Sequence, residues 1–551
     1  MLLVLVVGVS CQAAAAGPPA AEEKVAGEPG AEGLWPVPVL ERPDGRVAVP
    51  RTGVGTVVRP LPGRPHNHSG AAPVQLLMQK RLVSTLALTA VAACGAPAAV
   101  PDSTVIPSMT QTAAATKRPA ADPDTAGAHA DFDGDGKEDL VITDTSATVN
   151  GKYAAGYAAV VHGSAAGPDT RRHQVITQDS LGLGKAGAGG RLGSGATSAD
   201  LDGDGRSDLI TQAGGNTVFV VRGGKKKLSG AAKLSGATPV AGDFDGDGHA
   251  DLVTSRSADP KATVRFGPFT RTGKPARTKT LDLTPDKPSY YTPRPTGVGD
   301  VNGDGKDDLV VTWSHVFADE IPTPRATLVY RGAANGVLKK GPRLKDERGK
   351  DMYGSTTLTS DVNKDGFADV IVSLTCEIIG DEATPEGGSR LMVAYGGKSG
   401  QSTGLKPTTI NEKTPGLPGN PVSSHCNFGY APTTGDVNGD GYADVAFSAP
   451  LKGDKTATLV LRGGPKGLTG KNAKSISGLP VWPRLAIQDL NGDGAAELAV
   501  STSHTSGADD KVRILRGGPS GISTSRPMLV GPADLGLKPA PGDSFGSGFG
   551  H

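Results

Sequence analysis

The sequence predicts an all-β repeat protein, and three observations predict it. An acidic decapeptide, first seen as "DFDGDGKEDL" at residue 131, recurs six more times. Each copy runs into a short β-branched stretch, and a second apolar run ending on glycine follows. Glycine (79) and proline (43) are abundant, and no long apolar stripe of helical period interrupts the pattern. With 551 residues, 37% of them hydrophobic, the chain can bury a core, either as several domains or as one large repeat array.

The N-terminal part reads as leader. Residues 1–77 are rich in Ala, Pro, Gly and Val without a sustained period, and the opening apolar run lacks basic residues. A better export signal starts at Met78: Lys80 and Arg81 precede an apolar stretch from Leu82 to Ala93, and small residues follow. Residues 78–98 are therefore expected to be a signal peptide and residues 1–77 a disordered extension in front of the true start. "VAAC" ending at Cys94 resembles a bacterial lipobox, whereas "APA" at 96–98 suits ordinary cleavage, so secretion and a lipid anchor at Cys94 both stay open. The apolar run is short for a transmembrane helix. Export suits the two cysteines beyond the leader, Cys376 and Cys426, for which one disulfide is the economical reading. Residues 99–128, polar and rich in Ala, Thr and Pro, are expected to be a flexible linker.

The decapeptides start at residues 131, 200, 243, 300, 361, 436 and 489, a period of about sixty with variable loops. Positions 1, 3, 5 and 9 always carry a side-chain oxygen. The first three copies supply Asp131, Asp133, Asp135 and Asp139, then Asp200, Asp202, Asp204 and Asp208, then Asp243, Asp245, Asp247 and Asp251. The fourth and fifth supply Asp300, Asn302, Asp304 and Asp308, then Asp361, Asn363, Asp365 and Asp369. The last two supply Asp436, Asn438, Asp440 and Asp444, then Asp489, Asn491, Asp493 and Glu497. These are hard ligands for a hard cation. Glycine at position 6 allows a sharp turn that converges the donors, and position 7 can add its carbonyl. Positions 2 and 10, always Phe, Leu or Val, are expected to pin the loop ends into a core.

Charge supports a metal. The donor positions hold 24 acidic side chains, so against a net charge of +1 the rest of the chain carries +25. Up to seven Ca²⁺ ions would offset much of that loop charge, and calcium suits many flexible carboxylates better than magnesium does. An EF-hand shares the opening spacing but needs flanking helices, and these loops lead into strand-like runs such as "DLVVTW" and "DVAFSAP". The near-neutral total gives no field for nucleic acid or an anionic membrane.

A hydrophobic-flanked loop of this kind, with "FG" before it and "AP" after it, resembles the FG-GAP (VCBS-type) repeat of integrin α propellers and bacterial secreted relatives. The sixth copy shows it best, with Phe428-Gly429, the loop from Asp436 to Asp444, and "SAP" at 448–450. The fifth has Tyr353-Gly354 and the second Leu192-Gly193. The resemblance covers residues 129–551 and implies a seven-bladed β-propeller of four-stranded sheets with a calcium-binding loop in each blade. The first unit has little strand before Asp131, so the tail "DSFGSGFGH" is expected to complete its blade; otherwise the ring would want an eighth unit.

Catalytic patterns are weak. "GDSFG" at 542–546 has a nucleophile-elbow spelling, but no acid follows Ser544 and the terminal His551 is the only histidine beyond it. "GLGKAG" at 182–187 matches a dinucleotide fingerprint in letters without a helix behind it. The expectation is a non-catalytic, monomeric, exported scaffold for adhesion or recognition of an extracellular protein or glycan, with no nucleic-acid partner. The alternative is an extracellular hydrolase or polysaccharide lyase on a calcium-stabilised propeller. The integrin resemblance implies metal loops on one face and partners on the other. Candidate contacts are the insertions at 283–294 and 375–388, the segment Asn411 to Tyr430, and Tyr290, Tyr291, Trp313 and Trp482, with ordinary blade packing the competing reading for each tryptophan. "KGD" at 452–454 reads as a turn.

Overall fold

A computed structural model describes residues 40–41, 47–48 and 130–550, less 183, 257–258, 285–291, 315–325, 376–387, 423–426, 454, 480–481 and 502–509. Two units are distinguished, residues 1–109 and 110–551. In the first, the two-residue strands Leu40–Glu41 and Val47–Ala48 pair antiparallel. The extension, the export signal with Met78, Lys80, Arg81 and Cys94, and the linker lie outside the described residues.

The second unit is an all-β, seven-bladed propeller: seven four-stranded antiparallel sheets. Blade two shows the plan, with strands Ser194–Ala199, Asp208–Ala213, Thr217–Arg222 and Ser229–Ser235 hydrogen-bonded in chain order. First strands of consecutive blades contact one another and form the inner ring, except that Ser194–Ala199 of blade two meets the second strand of blade one, Leu140–Asp144. The fourth strands are outer edges, where Lys and Arg on Arg277–Asp282 and Lys339–Arg343 guard against further strand pairing.

Each acidic loop leads into its blade's second strand, whose apolar residues face both ways. Asp444–Leu451 is buried throughout, and so is Leu140–Asp144. The reason is stacking: each sheet is covered on both faces by its neighbours, so alternation gives way to continuous apolar runs. Seven large hydrophobic clusters result, one at every seam between blades. The residues at loop positions 2 and 10 enter these clusters fully buried, from Phe132 and Leu140 in the first copy to Leu490 and Leu498 in the last.

The tail closes the ring. Gly548–Phe549 pairs with Leu140–Asp144 and becomes the first strand of blade one, completed by Tyr157–Val161 and His173–Ile176. Phe545 and Phe549 pack with Leu140, Ile142, Ala486 and Val512 at the seam between blades seven and one. The "GDSFG" segment has a structural use there, since the Ser544 N–H donates to Asp144 and the Thr148 N–H to Asp543. Because Phe545 is only 2% exposed, Phe545→Ala should cost about 3–5 kcal/mol in denaturant unfolding; a loss under about 1 kcal/mol would mean the closure contributes little.

Candidate metal centres

Position 1 builds each loop. The Asp131 carboxylate accepts the N–H groups of Gly134 (2.7 Å), Asp135 (3.1 Å) and Gly136 (2.9 Å). The same cradle forms around Asp200, Asp243, Asp300 and Asp489, and with small variations around Asp361 and Asp436. It requires left-handed backbone at position 6, where all seven glycines have φ between +79° and +87°. Position 5 then accepts the N–H of position 7, as in Asp135 with Lys137 at 3.0 Å.

Position 9 lies at the base, 0–1% exposed in every copy. It brackets the blade: Asp139 accepts the N–H of Phe132 (2.9 Å) with one oxygen and that of Gly163, just past the third strand, with the other (2.8 Å). Equivalent glycine N–H groups bind Asp208, Asp251, Asp308, Asp369 and Asp444. This explains the glycine that ends each second apolar run.

The carboxylates converge. Oxygens of Asp131, Asp133 and Asp135 lie within 4.8 Å of one another, as do those of Asp200, Asp202 and Asp204, and of Asp243, Asp245 and Asp251. In the first loop Asp133 and Asp139 also gather with His162, whose Nδ1 is 2.9 Å from Asp139. The donor set fits a divalent cation on a further observation: Asp133 Oδ1, Asp202 Oδ1, Asn438 Oδ1 and Glu497 Oε2 are buried without a hydrogen-bond partner. Burial followed by repulsion from neighbouring carboxylates pushes Asp251 and Asp308 up to about 7. Glu497 also rises to about 7, and Asp208 and Asp444, each beside an arginine, to about 6.

The loops are also joints, which the sequence did not disclose. The position-2 carbonyl of every loop accepts an N–H from the turn after the next blade's third strand, at 2.7–3.1 Å; Phe132 to Gly224 and Leu490 to Ser164 are two of the seven. In six loops the position-1 carbonyl also accepts the position-8 N–H of the next blade, from Ser207 onto Asp131 round to Glu138 onto Asp489. Where position 8 is acidic the joint doubles: Glu138 accepts the Asp489 N–H at 2.7 Å, and Asp307 accepts that of Asp243 at 2.7 Å.

Acidic loops and third-to-fourth-strand turns share one end of the antiparallel blades. Connections between blades and between second and third strands lie at the other. There Tyr430 and Trp482, both half-buried, meet edge to face at 5.7 Å, and exposed Arg484 lies 5.5 Å from the Tyr430 ring. Ala431, next to Tyr430, and Trp482 itself both have left-handed backbone (φ +48° and +57°). Of the two readings left open for Trp313, contact or blade packing, it is packing: the side chain is fully buried between blades three and four under Lys340 and Arg343. Tyr290, Tyr291, Cys376, Cys426 and His551 lie outside the described residues.

Comparison with known proteins agrees with this architecture. Residues 200–254 match the FG-GAP-like repeat and residues 428–461 the FG-GAP repeat, so the chain carries FG-GAP repeats. It is 26% identical to human integrin alpha-6 over 34% of its length and 15% of the integrin's. Against integrin alpha-5 of Xenopus laevis the identity is 24%, over 44% of this chain and 21% of the relative. Against phosphatidylinositol-glycan-specific phospholipase D of Rattus norvegicus it is 28%, over 28% of this chain and 18% of the relative. Each match therefore spans about a fifth or less of the relative.

The raised carboxylates predict a pH dependence. Asp251 and Asp308 titrate near 7 when folded and near 3.8 when unfolded, so between those values the ion-free fold holds protons that the unfolded chain lacks. Its stability should therefore fall as pH rises from about 4 to 7, with the full cost present above 7. In EDTA, Tm should rise on acidification from pH 7.5 to 5.5, and saturating calcium should remove or reverse that rise; parallel profiles with and without calcium would contradict the assignment.

Proposed function

We propose that this FG-GAP-repeat chain is an exported propeller whose acidic loops hold calcium and whose opposite end recognises an extracellular protein or glycan. The loops supply side-chain oxygens at positions 1, 3, 5 and 9 and the position-7 carbonyl, a flexible oxygen-rich set suited to Ca²⁺. A bound cation supplies positive charge where three or four carboxylates crowd, and ions selective for the fold stabilise it by linkage. The cradle and the joint share residues, so ordering a loop orders a seam.

For recognition, the carrying observation is the Tyr430, Trp482 and Arg484 cluster at the end remote from the loops. Half-exposed aromatic faces beside a guanidinium suit stacking on a sugar ring or an interface anchor. The export signal at 78–98 supports an extracellular setting, with a lipid anchor at Cys94 as its variant. No helix among the described residues is long and apolar enough to cross a membrane. An enzymatic reading has one observation in its favour, the similarity to a phospholipase D. Release of product from phosphatidylinositol-glycan or polysaccharide substrates would decide for it.

Two outcomes are expected. EDTA should lower Tm by 10 °C or more, about the effect of several kcal/mol on a chain of this size, and an unchanged Tm would refute calcium binding. On an array of glycans and cell-wall polymers, binding should be reduced about tenfold or more by Trp482→Ala at unaltered Tm. Equal binding by the variant would move the site elsewhere.

A further inference from the structure

The seven loops differ at position 3, and the difference matches where nearby basic side chains go. Loops one to three carry Asp there and four carboxylates in all; loops four to seven carry Asn and three. In each four-carboxylate loop an arginine of the same blade reaches the position-3 or position-9 carboxylate. Arg172 donates to Asp133 and lies 3.7 Å from Asp135. Arg222 donates to Asp208 and lies 3.6 Å from Asp202. Arg277 pairs with Asp245 while stacking on Phe266 at 4.1 Å.

Loops four, five and seven have no such cation at these two positions among the described residues. There the asparagine amide takes over: Asn302 donates to both oxygens of Asp308 (3.0 and 2.9 Å), Asn491 to Glu497 (2.7 Å) and Asn363 to Asp365 (3.0 Å). Arginines that share Arg222's place at the end of the third strand turn away in these blades. Arg331 donates to the Ser399 carbonyl and Arg516 to the Ala166 carbonyl, each on the following blade.

We propose that Arg172, Arg222 and Arg277 are fixed counterions of the acidic loops: each cancels the fourth charge that Asp at position 3 adds, and so sets how tightly that loop takes a divalent cation. The guanidinium occupies Oδ2 of Asp133 and approaches Oδ2 of Asp202, leaving Oδ1 of both without a partner, so the donor set stays open. With the four donor positions and only the arginines on positions 3 and 9 counted, six loops then present −3, from four carboxylates and one arginine or from three carboxylates; in loops one, two and four the position-7 base also lies beside position 5 (Lys137–Asp135 3.6 Å, Arg206–Asp204 2.9 Å, Lys306–Asp304 3.1 Å). Loop six, with Asn438 at position 3 and Arg462 donating to Asp444 (2.8 Å), is one charge short by the same count and is the weakest site. Because the ring depends on every seam, matching the charges lets the loops fill over one concentration range.

The inference rests on the calcium reading, and the test separates the two. Wild type, the triple variant Arg172→Gln/Arg222→Gln/Arg277→Gln, and Arg331→Gln are melted across a calcium titration from EDTA to saturation. The triple variant should melt lower than wild type without calcium, close to it with calcium, and reach half its rise at roughly tenfold less calcium. Arg331→Gln, lacking a seam contact but no counterion, should melt lower by equal amounts in both conditions. An unchanged or smaller calcium response in the triple variant overturns the proposal. A wild type indifferent to calcium overturns the calcium reading and this inference with it. If the triple variant does not fold, Asp202→Asn/Arg222→Gln, which gives loop two the residue types of loop five at positions 1, 3, 5 and 9 and removes its counterion, replaces it. It should keep the wild-type calcium response while Asp202→Asn alone weakens it, and equal responses from the two would overturn the proposal.

Discussion

A sheet buried on both faces has no stable existence alone, and this constraint governs the molecule. The second strand of each blade is apolar on both sides, and every large hydrophobic cluster lies between two blades. Burial at about 25 cal/mol per Å² is available only when blades stack and the stack closes. Closure falls to a two-residue strand from the tail, the phenylalanines beside it, and the Glu138 to Asp489 joint between the last loop and the first.

Against that background the acidic loops do two things with the same atoms. The position-1 side chain folds its own loop by taking three N–H groups, while the position-1 and position-2 carbonyls reach the next blade. Position 9 ties the loop to the third strand. Burial raises the pKa values of carboxylates drawn into the interior, and their mutual repulsion adds to it, so the arrangement that joins the blades is costly until positive charge arrives. Arginine at some loops and asparagine at others lower that cost in part. The remainder is what a divalent cation is suited to offset.

Much of this was legible in the chain. The apolar columns at positions 2 and 10 announced buried shoulders, the constant glycine at position 6 announced left-handed backbone, and the tail announced the missing strand of blade one. The joints were not legible, because position 8 uses its backbone N–H whatever the side chain: Glu138, Ser207, Asp307 and Ala368 do the same work and leave no column to read. The loop counterions were hidden for a different reason. Arg172 and Arg277 are far from their carboxylates in sequence, the first just before a short, half-buried fourth strand and the second opening a polar, mostly exposed one. Trp313 stayed open between contact and blade packing because a lone tryptophan in a strand does not disclose which side its neighbour covers, and the structure buries it.

The central claim is that cations bound in the loops hold the seams as well as the loops. Amide hydrogen exchange in EDTA and in calcium addresses it directly, because the joint amides of Glu138, Ser207, Asp307, Ala368, Ala443 and Ala496 each belong to one blade and bind the next. The account predicts that calcium slows exchange at these amides together with those inside the loops, all around the ring. Slowing inside the loops with unchanged exchange at the joints would contradict it.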